Sequence, residues 1–321
     1  MRVSRATIRV RGKPVEPTPL RYCGRTFTTE EVEVIRRIID DPWHTTRASI
    51  ARAVCETLNW VKPNGELKLA SCQLALQRME AHGVIWLPLP TQAPPRPKPS
   101  AFTAASEPQP LIRGFRRDLQ DLKLVQVVGR EPNRLWRELM ERHHYLGYRG
   151  LTGAGMRYLA YDGERVLAAL GFGAAAWKLA PRDRFIGWTA AEREAQLHRV
   201  VNLQRFLILP WVEVKNLASA LLAMAARRLA GDWSARHGYR PVLLESFTER
   251  GRFAGTCYAA ANWIRVGQTQ GRGKLDRCHQ GGQPIKDIWV YPLDRRFRSL
   301  LTAGRLPTGT AGSVLAPGGR R

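Results

Sequence analysis

The sequence predicts a mixed α+β protein (α/β in its central part) in two domains, a small helical module followed by a larger domain on a mixed sheet. Three observations predict it. Capped helical patterns crowd the stretch before residue 87. A proline-dense stretch, Pro88–Pro110, then interrupts the chain. Beyond it, short apolar runs alternate with helical patterns, as in a layered α/β domain. The expected boundaries are a basic arm over 1–21, the helical module over 22–87, an extended linker over 88–110, the sheet domain over 111–300 and a disordered tail over 301–321.

At 321 residues the chain is long enough for about two domains, and its 44% hydrophobic content is that of a globular protein. Lys plus Arg less Asp plus Glu is 51 − 27 = +24. A chain this basic is expected to meet a polyanion, because neutralised phosphates release counterions. The five cysteines are odd in number and form no CxxC pair, which fits a reducing cytoplasm rather than a disulfide scaffold or zinc ribbon. The neighbours Cys278–His279 diverge and make a poor ligand pair. No apolar run approaches membrane-spanning length, and the first thirteen residues lack the apolar core of a signal peptide. The expectation is a cytoplasmic protein with DNA, not a membrane, as its partner.

In the first domain, Thr28 and Glu31 have capping-box spacing, and Val32, Ile35, Ile38 and Ile39 share one helical face. Asp41–Pro42 stops that helix. Thr46 caps a second helix bearing Ile50, Val54 and Leu58, and Pro63–Asn64–Gly65 is a turn. A third helix turns Leu69, Cys72, Leu76 and Met79 inward. That leaves Lys68, Gln73, Gln77 and Arg78 toward solvent as candidate base-edge and phosphate readers. Val84–Leu87 reads as a short strand, the start of a wing. The module is expected to be winged-helix-like and to bind DNA, although the long connection between its second and third helices is unusual for that motif.

In the second domain, Phe115–Leu124 is a mixed segment. A helix runs from Pro132 through Trp136 and Leu139 to His143. Met156–Tyr161 and Val166–Phe172 are strands joined at Asp162–Gly163, a strong hairpin signal. Trp177–Trp188 reads as a charged loop and Glu192–Arg199 as a helix. The central stretch, Arg205–Trp263, holds a strand at Phe206–Leu209 and a helix capped by Asn216 and ending at Gly231–Asp232. It continues with a strand at Val242–Leu244 that carries Glu245 at its end, and a small-residue helix around Tyr258–Ala261. Strands at Trp263–Val266 and Ile288–Tyr291 follow. In such a unit, chemistry belongs at the carboxyl ends of the strands.

The layout of Arg205–Trp263 resembles the second half of the GCN5-related N-acetyltransferase fold. The resemblance implies a loop that holds the pyrophosphate of acetyl-coenzyme A at a helix N-terminus and, in Tyr258, a general acid. The loop itself, PWVEVKN, lacks the glycines that let backbone N–H groups close on a pyrophosphate, so acetyl-coenzyme A is not expected to bind. Most of the chain also resembles the family of DruA of the Druantia anti-phage system. This rests on HYLG (His144–Gly147), RDRFIGW (Arg182–Trp188), NLQRFLILPWVEVKNLAS (Asn202–Ser219), PVLLESF (Pro241–Phe247), GTCYAAANW (Gly255–Trp263) and GQTQGRG (Gly267–Gly273). That resemblance implies a role in defence or in mobile-element biology, beside other defence-system or transposition proteins.

The candidate catalytic residues are Tyr258, Glu245 and Asp183. A phenol of ordinary pKa about 10 needs activation before it attacks a phosphodiester, and Arg252, Arg265 or Arg272 could supply it. The plainer reading is a tyrosine packed on the sheet. Glu245 and Asp183 could hold a divalent metal or act as bases; the plainer reading pairs them with Arg205 or Arg182. Arg182, Arg205, Asn262 and the Gly271–Lys274 loop, through Arg272 and Lys274, are the candidate phosphate contacts. At most one of His143 and His144 can face a common site. The expected function is DNA binding with DNA processing, as strand cleavage and transfer or base modification. The alternatives are an acetyl-coenzyme A-dependent acyltransferase and a non-catalytic DNA-binding subunit.

Overall fold

The computed structural model describes residues 20–90, 102–148, 150–271 and 282–302. The chain divides into two compact units, Met1–Arg96 and Pro97–Arg321, within the proline-rich stretch. Most of the expected basic arm and nearly all of the expected tail lie outside the described residues, as do Arg272, Lys274 and the Cys278–His279 pair.

In the first unit an antiparallel hairpin, β1 (Leu20–Tyr22) and β2 (Arg25–Phe27), precedes three helices, α1 (Thr29–Asp40), α2 (Arg47–Thr57) and α3 (Leu69–Ala81). The Thr28–Glu31 capping box closes in both directions, each bond 3.2 Å, and Thr46 caps α2 with Ser49. Ile35, Ile50, Val54, Cys72 and Met79 are fully buried between the helices. The predicted strand at Val84–Leu87 is not formed. That segment runs unpaired, because its backbone is tied to side chains instead. Arg36 Nη2 donates to Val84 O at 2.8 Å, Leu87 N donates to Glu80 Oε1 at 3.2 Å, and Arg47 Nε donates to Pro88 O at 2.8 Å. Among the described residues the hairpin of this unit stands before the helices, not after them.

The second unit begins with β3 (Ile112–Phe115), β4 (Leu122–Gln126), α4 (Arg130–His143), β5 (Met156–Asp162) and β6 (Arg165–Ala174). It continues with α5 (Ala180–Ile186), α6 (Ala190–Gln196), β7 (Val200–Ile208), β8 (Val212–Lys215) and α7 (Leu217–His237). β9 (Leu243–Glu249), α8 (Thr256–Ala260), β10 (Ile264–Gln268), β11 (Lys286–Pro292) and α9 (Phe297–Leu301) complete it. Seven strands form one mixed sheet in the order β10-β11-β9-β7-β6-β5-β4. Its one parallel pair, β7 with β9, holds only from Val200↔Leu243 to Leu203↔Ser246. Beyond those residues the two strands part and the sheet opens. β3 and β8 pair with each other, in parallel, outside the main sheet.

Helices cover both faces of the sheet. Arg157 lies 5.2 Å from the ring of Trp136 on α4, while its neighbour Tyr158 donates to Asp232 on α7 at 2.8 Å. Successive strand residues point to opposite faces, so α4 and α7 flank the sheet. The same alternation sets α5 on the side of α4 and α8 on the side of α7: Glu245 meets Arg182 of α5, and Ser246 meets Tyr258 of α8.

Four expectations are corrected here. Trp177–Trp188 is not a loop throughout: Pro181 sits in the first turn of α5, where its missing N–H is harmless, and Gly187 ends the helix at φ +84°. α7 does not stop at Gly231–Asp232, because Asp232 is held by Arg228 one turn back at 2.6 Å and by Tyr158; the helix ends at Gly238, φ +75°. Asn216 does not cap α7 through its side chain; its backbone is left-handed at φ +64°. The expected linker is structured from Phe102 onward. Thr103 donates its backbone N–H (2.8 Å) and its hydroxyl (2.5 Å) to Glu138 of α4, and Ser106 is buried. Burial opposes charge on Glu138, yet these bonds and Arg134 hold its pKa down at about 2.

Candidate functional site

Two buried clusters contain Arg182, Asp183, Glu245 and Tyr258 of the predicted residues. In the first, Arg182 and Glu245 are each fully buried and meet at 2.7 Å. Ala176 N donates to the other Glu245 oxygen at 2.7 Å, and Arg182 also donates to Ala176 O at 2.8 Å. Asp183 accepts from Arg182 Nη2 at 2.7 Å and from Trp188 Nε1 at 3.1 Å. Burial pushes the Glu245 carboxyl up, against the pull of Arg182. Every oxygen of Glu245 and every nitrogen of the Arg182 guanidinium has a partner, so the network fastens α5 to β9. Among the described residues, no group of three His, Cys, Asp or Glu side chains converges to hold a metal ion. Glu245, Asp183 and Arg182 are thus brought together in one network, in which both carboxylates meet the same guanidinium.

In the second cluster Tyr258 is 5% exposed. It stacks on Trp289 (5.6 Å, 20°) and meets the Trp263 ring edge-on (5.2 Å). Its hydroxyl lies 2.9 Å from Ser246 Oγ, which itself donates to Leu203 O at 3.2 Å. Burial pushes the phenol pKa well up. Of the arginines proposed to activate it, Arg265 pairs with Asp287 at 2.7 Å and Arg252 lies over the ring of Tyr145, while Arg272 is outside the described residues. The Tyr258 hydroxyl is buried and, through Ser246, spans the wedge between β9 and β7. Asn262 is an exposed residue with φ +61°, ending α8. In the first unit, Gln73, Gln77 and Arg78 are exposed on α3 as expected, whereas Lys68 is half-buried and its pKa is lowered by that burial.

Arg205 leads to a third cluster, which is open. It stands on β7 beyond a bulge, opposite Gly171 of β6. A side chain on Gly171 would collide with Trp136, so glycine there lets α4 lie close to the sheet. Just past α4, Gly147 (φ +56°) closes a turn by donating to His144 O at 2.8 Å. Arg205 donates to Gly147 O (3.4 Å) and to Gln204 O (2.8 Å), and among the described residues it forms no ion pair. The His144 and Tyr145 rings stack at 4.8 Å and 27°. The loop after β9 brings Arg252 to 4.3 Å from the Tyr145 ring centre and Phe253 to 5.4 Å from it. Burial, then Arg205 and Arg252, lower the His144 pKa to about 4, so the ring is neutral near pH 7. Its Nδ1 accepts from Leu146 N at 3.2 Å, which leaves the proton on Nε2.

Sequence reasoning identified Arg205 but missed Tyr145, Arg252 and Phe253 as partners. The signal was present as two motifs, HYLG and the RGRFAG run before Tyr258, each joining a basic or imidazole residue to an aromatic one.

The second unit is a mixed-sheet domain with an acetyltransferase-like core: β7, α7, β9 and α8 carrying Tyr258 follow one another as the resemblance implied, but strand β8 stands between β7 and α7 where a loop was implied. The model of the family described as Druantia protein DruA matches residues 103–282, more than half of the chain, and the chain belongs to the DruA family. No curated protein matches the sequence. Among solved structures, the ribosomal-protein-S5-alanine acetyltransferase of Vibrio fischeri is similar at 7% identity and TM-score 0.28, over 44% of this chain and 63% of that one. Mutant forms of the spermidine/spermine N-acetyltransferase SpeG of Vibrio cholerae are similar at 12% identity and TM-score 0.36, over 55% of this chain and 97% of that one. The chain thus spans less than two thirds of the first of these enzymes, and likeness at this level carries nothing about activity. No helix among the described residues is long and apolar enough to cross a membrane.

Proposed function

We propose that this chain is a DNA-binding protein of phage defence, and that its second unit meets the sugar-phosphate backbone where β7 and β9 part. Family membership suggests the defence role. The observation that carries the DNA reading is Arg205, half-buried with only carbonyl oxygens as partners among the described residues. A guanidinium withdrawn from water ordinarily finds a carboxylate; one that does not is set for an anionic ligand. The net charge of +24 supplies the long-range attraction. In the first unit, Arg47, Gln73 and Gln77 line a groove of about 280 Å³, and with the exposed Arg78 they offer contacts to a duplex.

DNA processing on that bound strand, as strand cleavage, strand transfer or base modification, is the activity to assay, alone and with other proteins of the system. A covalent bond through Tyr258 is not part of the proposal, because its hydroxyl is sealed. Acyl transfer from acetyl-coenzyme A is not favoured. Where a pyrophosphate loop would have to open, Val212–Lys215 is paired with β3. The test is fluorescence anisotropy with labelled DNA over a range of salt. With ~6 phosphates contacted, log K is expected to fall with a slope near −5 against log salt. A flat salt response overturns the DNA reading, and stabilisation by acetyl-coenzyme A would redirect it to acyl transfer.

A further inference from the structure

We propose that the open cluster takes one unpaired nucleotide, its phosphate on Arg205 and its base against the guanidinium of Arg252 and the ring of Phe253. This rests on the DNA reading above and names the form of DNA that this surface accepts.

Three segments distant in the chain build the cluster: the turn after α4, strand β7, and the loop between β9 and α8. They gather planar groups, with the His144 and Tyr145 rings stacked and the Phe253 ring tilted at 57° to Tyr145. His144 covers one side of Tyr145, and Arg252 lies over that ring as well, with its guanidinium carbon 4.3 Å from the centre. The same carbon is 5.6 Å from the centre of Phe253. Tyr145, Leu146 and Phe253 remain 37%, 41% and 43% exposed, an apolar surface that nothing in the described chain covers. A guanidinium over an aromatic ring can present a face to a further planar group, and nucleobases stack on such faces as they do on aromatic rings.

Charge selects the ligand. Neither Arg205 nor Arg252 has an ion pair among the described residues; the nearby acid, Glu249, acts on Tyr145 and pairs with neither. An apolar partner alone would leave both charges unanswered. An anion alone would leave the exposed rings unanswered. A nucleotide answers both. In a duplex the faces of each base are already covered by its neighbours, so the platform requires a base outside the stack.

The experiment compares labelled single-stranded oligothymidylate, a duplex of equal length and an abasic strand with the same phosphates, with inorganic phosphate as competitor. Full-length protein is used, with the variants Arg252→Ala, Phe253→Leu and Arg205→Gln, and circular dichroism and melting temperature verify that each is folded. The expected result is that Arg252→Ala and Phe253→Leu each weaken the single strand about tenfold, within the range measured for base–aromatic stacking. Duplex affinity is expected to stay within about twofold. The abasic strand should bind like those variants and be indifferent to them, while Arg205→Gln weakens the single and abasic strands alike. If the variants weaken duplex and single strand equally, or the abasic strand binds as well as the intact one, the surface is a phosphate contact only and the nucleotide proposal is overturned. Should the protein bind DNA with the expected salt slope and lose affinity with Arg205→Gln yet ignore Arg252→Ala and Phe253→Leu, this proposal fails and the DNA reading stands; if all three variants are ignored, the placement of DNA at Arg205 fails with it. Wild-type protein that binds no DNA at any salt overturns both.

Discussion

Arg182 and Arg205 lie on the same side of one sheet, the first bound to β9 and the second carried by the adjacent strand β7, and their surroundings are opposite. Arg182 is fully buried and meets two carboxylates and a carbonyl. Arg205 is half-buried and meets carbonyls alone. Both lie within the span that the family model matches, and both attract attention in the sequence. The difference teaches that an arginine beside an acid in the chain says little about a site. A buried guanidinium whose charge is matched holds structure together, and one left unmatched is available to a ligand.

The comparison breaks most visibly if the matched cluster is damaged. Glu245→Gln leaves Arg182 buried with half its counter-charge gone and is expected to destabilise the protein by about 3–5 kcal/mol, read by denaturant unfolding. DNA affinity of the folded fraction should be unchanged. A loss of binding without a loss of stability would show that Glu245 belongs to the ligand site after all.

Acid sharpens the comparison from the other side. His144 ordinarily titrates near 6.5, and its folded pKa is about 4. Between those values the unfolded chain binds a proton that the folded chain refuses. The contribution of this ring is therefore complete above pH 6.5 and is lost as pH falls toward 4. The loss is on the order of 2 kcal/mol by linkage. Unfolding measured from pH 7 to 4.5 should fall more steeply for the wild type than for His144→Gln. Equal slopes would mean that burial and the two arginines do not hold the folded ring below its ordinary pKa.

Arg205→Ala is expected to weaken DNA binding about tenfold, while the unfolding free energy moves by less than about 1 kcal/mol, because it breaks no ion pair. The smallest effect is expected at Tyr258→Phe. One hydroxyl bond is lost, for about 1 kcal/mol, and Ser246 keeps its bond to Leu203 O. DNA binding should not change. Loss of a DNA-dependent activity in that variant would reinstate the tyrosine as a chemical participant.

Much of the local structure was legible in the chain. The Thr28–Glu31 box and the Asp162–Gly163 hairpin are signals within a few residues, where backbone preference decides. The misses share another cause. β9 continues past Glu245 because a carboxylate unfavourable in a buried strand is matched by Arg182, 63 residues away in sequence. α7 continues past Gly231 because Tyr158, on another strand, holds Asp232. The open cluster was illegible for the same reason: Tyr145 gains its meaning from Arg252, and no spacing rule links residues so far apart. In each case a partner distant along the chain overrides a local preference.

The pairing of β3 with β8 has a consequence for how this chain is made. Ile112 finds its partner at Val212, 212 − 112 = 100 residues later. During synthesis at roughly 5–20 residues per second, β3 therefore waits several seconds with a bare backbone edge. Until Val212–Lys215 emerges, that edge is open to any other extended segment, including the same stretch of a neighbouring nascent chain. Loop closure over such a span is slow to nucleate, so the turn leading into α7 is among the late parts of the domain to settle. A fragment that begins after Phe115 would be born without β3 and would carry β8 unpaired, and its yield would fall through aggregation rather than through any defect in the sheet.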